Sequence, residues 1–416
     1  MALFSVLSIL RMVANTMSPT EASDFHQFWY AGHFIRQGSD PYQAYFSGEQ
    51  PSVPVAYVDG VVTSSRPVAQ PGLATAPANT APIVLLLSPF AFFSWPLAKV
   101  LWMVCNLVLA LLCPWLLLRL APPDLQISGT SRLLLFFVFF SFLGTRNAIG
   151  NGQTTLLVFA MMIGALLTMD GNCLLPGVLL GIALSKYSVA VPVLFLALYR
   201  RKYWVVIVSL AVQVIAVLAI AMIAGSSPLS ILADYVRFML MQVDSDGIHL
   251  APLLQPIGVP APITGAILTL GVGAALARWA VLPRAHETAR SKASEDLHLM
   301  AIFCLWSLLA GYHRPYDSLV ALLPVALLTL GLEHQALWKL YSRQRLVLAA
   351  ALGIFLLVLM SPGAVMSSIA SDWTLVLSRA ITVVLFAMLV IFIWLLFRLK
   401  MPTRRSTASV AVEPSP

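Results

Sequence analysis

Apolar runs separated by short polar connections repeat from one end of this chain to the other. The core of a bilayer is about 30 Å thick and takes roughly 20 helical residues to cross. The runs at 97–118, 204–224, 263–282 and 375–399 reach that length. Shorter runs at 1–17, 133–145, 154–169, 173–184, 189–199, 299–312, 319–332 and 346–360 are read as crossings too, so the pattern predicts about twelve helical spans. The run at 83–93 is short and precedes Pro96, and reads as a re-entrant piece or the start of a bent helix. Backbone in lipid must bond within its own segment, which favours helices, and the alternation expected of barrel strands is absent. The predicted fold class is all-α, a polytopic integral membrane protein.

The connections are uneven. Residues 18–82 form a long polar stretch whose first part, 25–37, carries aromatics at helical spacing and is expected to lie on the membrane as an amphipathic helix. From 38 to 82 the chain is rich in Pro, Ser, Ala and Val and reads as an extended loop. Residues 228–262 read as a surface helix plus loop, suited to a lid or a groove for a lipid chain, and 285–296 as a solvated linker. One transmembrane domain is expected over 1–400, with 18–82 as a first outer loop, 226–262 as a second that carries an amphipathic helix, and 401–416 as a disordered cytoplasmic tail.

Composition supports the membrane reading. Of 416 residues, 59% are hydrophobic and 10% charged, and mean hydropathy is +0.88; soluble domains hold about 45–50% apolar and about 25% charged residues. The net charge of +8 would suggest a nucleic-acid partner in a soluble protein, but the basic residues sit in short connections and act as topology signals, so no nucleic-acid partner is expected. With both termini cytoplasmic, alternating spans place Arg119, Arg132, 200–202, 284–292, Lys339, Arg343, Arg345 and the basic tail inside. Glu21, Asp24, Asp40, Glu49 and Asp59 then fall outside, where they outnumber Arg36 and Arg66. The four cysteines lie in apolar runs without CxxC spacing and read as packing residues. Residues 1–17 lack a basic leader and a cleavage motif, and read as a retained first helix.

The same alternation gathers the polar motifs on the outer side. They are Asp24 and His26, the turn Arg146-Asn147-Ala148-Ile149-Gly150-Asn151-Gly152-Gln153, Lys186, and the run Tyr312-His313-Arg314-Pro315-Tyr316-Asp317. Charged groups at membrane depth are costly and usually mark function. Asp24 is either a general base with a raised pKa or the cap of the helix that follows. The 146–153 turn combines a cation, side-chain amides and glycines, which suit sugar hydroxyls or phosphate oxygens, or it is an ordinary turn. Lys186 interrupts an apolar stretch, as a phosphate ligand or a snorkelling side chain. The 312–317 run offers a cation for phosphate, rings for a sugar and a second acid. His26 and His33, seven apart, are a weak metal signal, and no metal is expected.

In this order, Asp24 with its aromatics, Gly38-Ser39-Asp40-Pro41-Tyr42, Gly150-Asn151-Gly152-Gln153, Leu184-Ser185-Lys186 before the basic 200–202 turn, and Tyr312 to Asp317, the chain resembles glycosyltransferase family 87 of the GT-C superfamily. The resemblance implies a GT-C type membrane fold and an inverting transfer of a sugar, mannose, from a polyprenyl-phosphate donor to a glycolipid or glycan acceptor. The site would face the outer side of a bacterial cytoplasmic membrane. By the same resemblance, Asp24 and His313 would be catalytic, and Lys186, Arg314 and Arg146 would bind the donor phosphate. Asn151, Gln153, Tyr312, Tyr316, Asp317 and His26 would hold sugar or acceptor. No cofactor is implied, and membrane lipid is the third partner. Two features depart from the family's pattern: Ala78-Asn79-Thr80-Ala81-Pro82 stands where an aromatic-Pro-Pro segment is common, and His26 replaces a second acid. The rival reading is a transporter or flippase of a lipid-linked sugar, which needs access from both faces.

Overall fold

The computed structural model describes residues 2–17, 23–47, 77–121, 127–241, 247–282, 289–333, 342–360 and 373–400. The expectations for most of the first outer loop, for 285–288 and for the 401–416 tail lie outside them. The described residues are helical, with no strand among them.

In chain order the helices are α1 (Ala2–Met17), α2 (Ser23–Arg36), α3 (Pro41–Ser47), α4 (Ala81–Leu87), α5 (Trp95–Arg119), α6 (Gly129–Ser141), α7 (Leu143–Gly150), α8 (Thr155–Thr168) and α9 (Leu174–Ala183). They continue with α10 (Tyr187–Tyr199), α11 (Tyr203–Ala224), α12 (Pro228–Met241), α13 (Ala261–Val281), α14 (Ala289–Ala310), α15 (Leu322–Glu333), α16 (Ser342–Leu359) and α17 (Trp373–Lys400). A single helical turn lies at Ala251–Leu254, and tight 3-10 segments at Ser88–Phe92, Leu184–Lys186, Gln255–Ile257 and Pro315–Ala321.

Seven of the described helical stretches are long and apolar enough to cross a membrane, or eight if the pair α6–α7, bent by 50°, is one span. That is fewer than the twelve crossings read from the sequence, because several elements are short. α8 has 14 residues, and the apolar part of α4 with its 3-10 extension ends at Phe92.

One of the seven, Leu174–Tyr199, is not straight. Arg200 after α10 pairs with Asp170 before α9 at 3.0 Å, and Lys202 reaches the same carboxylate at 2.9 Å. A straight helix of that length would hold its ends roughly 39 Å apart. The chain therefore turns back at Leu184–Lys186, where Lys186 leaves the helical region at φ −116°, ψ 70°. The arms of 10 and 13 residues reach about 15 and 20 Å. α8, which packs on both arms, spans about 21 Å from its start to the same end. The apex of the hairpin and the start of α8 thus meet at one depth, some way inside the bundle.

α2 forms where the aromatic spacing predicts it, but it does not lie on a surface. Phe25, His26, Phe28, Trp29, Tyr30, Ala31 and Phe34 are all buried. Phe25 stacks on Trp102 at 5.2 Å and meets Phe90 edge-on at 5.3 Å, while the Trp29 indole N–H donates to Phe93 O at 3.0 Å. Phe25, His26 and Trp29 find ring partners in Phe90, Trp95 and Trp102, so the composition of the helix reflects enclosure rather than an interface. α12 fills the surface role instead, with Leu229, Leu232, Val236, Leu240 and Met241 exposed.

Candidate active site

Four connections converge at the hairpin apex. Thr80 N donates to Ser185 O at 3.0 Å and Ile83 N to the Ser185 hydroxyl at 3.1 Å, which fastens the start of α4 to the apex. Asn79 Nδ2 donates to Thr154 Oγ1 at 3.1 Å, which brings in the end of the 146–153 turn. That turn closes through Gly152, whose φ of +66° favours glycine, and whose carbonyl accepts the Trp102 indole N–H at 2.8 Å. The 312–317 run is laced from the far side, Ile248 N donating to His313 O at 2.6 Å. Gly144 lets α7 approach the Pro315–Ala321 segment, since a Cβ there would lie 2.6 Å from Leu319 N.

At the centre is an ion pair, Lys186 Nζ to Asp317 Oδ1 at 2.5 Å. Lys186 also donates to Thr155 Oγ1 at 2.7 Å and lies 4.4 Å from the centre of the Tyr316 ring. Thr155 Oγ1 in turn reaches Asp317 Oδ1 at 3.4 Å. The other oxygen, Oδ2, accepts Arg314 N at 3.2 Å and lies 3.5 Å from His313 Nδ1. His313 is 1% exposed, and its Nε2 faces Ser307 O at 3.1 Å. The Arg314 guanidinium, by contrast, is on an exposed residue, 5.9 Å from the centre of the Tyr312 ring.

Asp24 stands over this group. Its N–H donates to Asn151 O at 3.2 Å, and its carboxylate accepts from the Gln153 side chain. The residue is partly accessible, yet the packed atoms around it exclude water. That desolvation raises its pKa above the ordinary carboxylate value; the Gln153 hydrogen bond and then the Lys186 and Arg314 charges pull it part of the way back, while the Asp317 charge adds a small push upward. The carboxylate is therefore held close enough to both cations to feel them.

Of the residues read from the sequence, Asp24, Gln153, Asn151, Lys186, His313, Arg314, Tyr316 and Asp317 come together, with Tyr312 at the edge. His26 is 3% exposed, stacked on Tyr30 at 5.3 Å and edge-on to Trp95 at 4.9 Å, as a packing residue would be. Arg146 is turned toward other helices: Nη2 donates to Met360 O at 3.3 Å and the guanidinium feels Arg11. The sequence assigned no role to the Thr155 hydroxyl, to Ser185, quoted only within Leu184-Ser185-Lys186, or to Asn79, quoted only within Ala78-Asn79-Thr80-Ala81-Pro82. Thr154-Thr155 directly after Gln153 offered a faint signal; Ser185 offered none beyond its place beside Lys186. No group of three or more metal-binding side chains occurs among the described residues.

Enclosed by apolar helices and built around charged groups that lipid would exclude, this cluster defines an integral membrane protein with a polar site inside its fold. The chain belongs to glycosyltransferase family 87: a sequence model with that description matches residues 79–310. The protein is thus a membrane glycosyltransferase. No curated protein and no solved structure matches it. Asp24 and the 312–317 run lie outside the matched stretch and join Gln153, Thr155 and Lys186 only through the fold.

Proposed function

We propose that the protein transfers a sugar, mannose, from a polyprenyl-phosphate donor to a lipid-linked or glycan acceptor, with inversion, at the outer face of a bacterial cytoplasmic membrane. The observation that carries this reading is a carboxylate of raised pKa set over two cations, Lys186 and Arg314. In the step, an acceptor hydroxyl oxygen bonds to the anomeric carbon while Asp24 takes its proton. The bond from that carbon to the phosphate oxygen breaks, and its electron pair stays on the phosphate. A singly charged diester becomes a monoester with a second charge, which Lys186 and Arg314 stabilise as it develops. Gln153 and Asn151 hold Asp24, Tyr312 and Tyr316 flank the sugar, and the buried His313 positions Asp317 from behind. The exposed apolar side of α12, with Arg237 at its edge, suits the lipid chain of the donor.

The test uses the full chain in lipid nanodiscs with labelled donors: polyprenyl-phosphate mannose, the corresponding glucose and pentose lipids, and nucleotide sugars. Transfer is expected from polyprenyl-phosphate mannose and not from nucleotide sugars. Turnover confined to a nucleotide sugar would rule the reading out.

A pH dependence follows. Asp24 acts as base only when ionised, so kcat/KM falls as pH drops through its raised pKa. Gln153 lowers that pKa, so Gln153→Ala is expected to move the acid limb of the profile to higher pH. An acid limb that stays in place, or moves down, would argue against Asp24 as the titrating base.

A further inference from the structure

Resting on that reading, we infer that Asp317 is the internal counter-anion of the site: it occupies Lys186 while no donor is bound and yields it to the lipid phosphate. Lys186 is paired with Asp317, and both Lys186 and Arg314 act on the Asp24 carboxylate, so each cation of the site already faces an anion. A phosphate entering this site would add an anion beside two carboxylates. Like charges at close range in a poorly solvated pocket repel, and one anion has to give way.

The two oxygens of Asp317 divide the work. Oδ2 is tied to its own turn, accepting Arg314 N at 3.2 Å beside His313 Nδ1 at 3.5 Å, and Asp317 N donates back to Arg314 O at 2.9 Å. These contacts hold the carboxylate in place whether or not Lys186 stays. Oδ1 is the exchangeable side, shared by Lys186 at 2.5 Å and the Thr155 hydroxyl at 3.4 Å. When the ammonium turns to a phosphate oxygen, the Thr155 O–H remains as a donor to Oδ1, so the buried carboxylate is not left unpaired. Thr155 also holds Lys186 at 2.7 Å before the exchange, which makes it a positioning residue for both states. The competition is strongest against the monoester product, whose extra charge draws the ammonium fully over, and Asp317 can reclaim Lys186 as the product departs.

The probe is farnesyl phosphate, a monoester, with binding to the full-length protein measured by calorimetry in parallel with sugar transfer. Asp317→Asn removes the competing charge, and farnesyl phosphate is expected to bind about tenfold tighter while kcat and KM both fall. Asp317→Glu, which keeps the charge, is expected to bind it no tighter than wild type. Unchanged or weaker binding by Asp317→Asn would overturn the exchange while leaving the transferase reading intact. Tightened binding without any wild-type transfer from a polyprenyl-phosphate sugar would overturn the donor assignment alone. Should Asp317→Asn fail to fold, a wild-type structure with farnesyl phosphate decides: Lys186 Nζ on the phosphate and more than about 4 Å from Asp317 supports the exchange, and an intact pair refutes it.

Discussion

Turnover by the Asp24→Asn protein is expected to fall about 10²- to 10⁴-fold, the range that a positioned general base contributes. The amide has nearly the shape of the carboxylate and can still pair with Gln153, so thermal unfolding should stay at the wild-type value. A pure helix-capping role predicts the reverse, a stability loss of about 1 kcal/mol with turnover retained. Comparing unfolding with transfer on the same preparation separates the two. Transfer equal to wild type would remove Asp24 from the chemistry.

The second large effect belongs to Lys186. On the proposed mechanism Lys186→Met should lower kcat about 10²- to 10³-fold, since it removes the cation proposed to stabilise the developing phosphate charge. It also leaves the Asp317 carboxylate, 4% exposed, without its ion-pair partner. Breaking a buried pair from one side typically costs about 3–5 kcal/mol, so the unfolding temperature should drop clearly. Adding Asp317→Asn to Lys186→Met is expected to recover most of that stability and none of the turnover. A single Lys186→Met variant as stable as wild type would show that the pair contributes nothing to holding the fold together.

The sequence made some of this visible for identifiable reasons. Lys186 stands out because nothing apolar explains a lysine in the middle of a membrane helix, and the 312–317 run stands out because a short turn needs few of its polar groups. What the sequence could not give was the pairing. Asp317 reads as a sugar ligand until Lys186 is seen 2.5 Å from its oxygen, because contacts between residues 131 positions apart leave no local signal. Thr155 lies at the start of the apolar run 154–169, and nothing local beyond its place close after Gln153 marks its hydroxyl as part of the site. α2 was misplaced for a related reason: aromatic residues at an interface and aromatic residues in an enclosed core are the same residues, and only their partners differ. The short runs at 173–184 and 189–199, read from the sequence as separate crossings, are the two arms of one hairpin, and only the pairing of Arg200 with Asp170 reveals the fold-back.

That hairpin bears on how the protein is made. Arms of 10 and 13 residues are each too short to be stable across a bilayer about 30 Å thick, and their apex carries a lysine that lipid would exclude. Neither arm can be released from the biosynthetic machinery as an independent transmembrane segment. The two arms pack as one unit against α8 and α11, and Lys186 gains its carboxylate partner only once the chain has been synthesised as far as residue 317. The order of synthesis therefore leaves Lys186 without its carboxylate while some 130 more residues emerge.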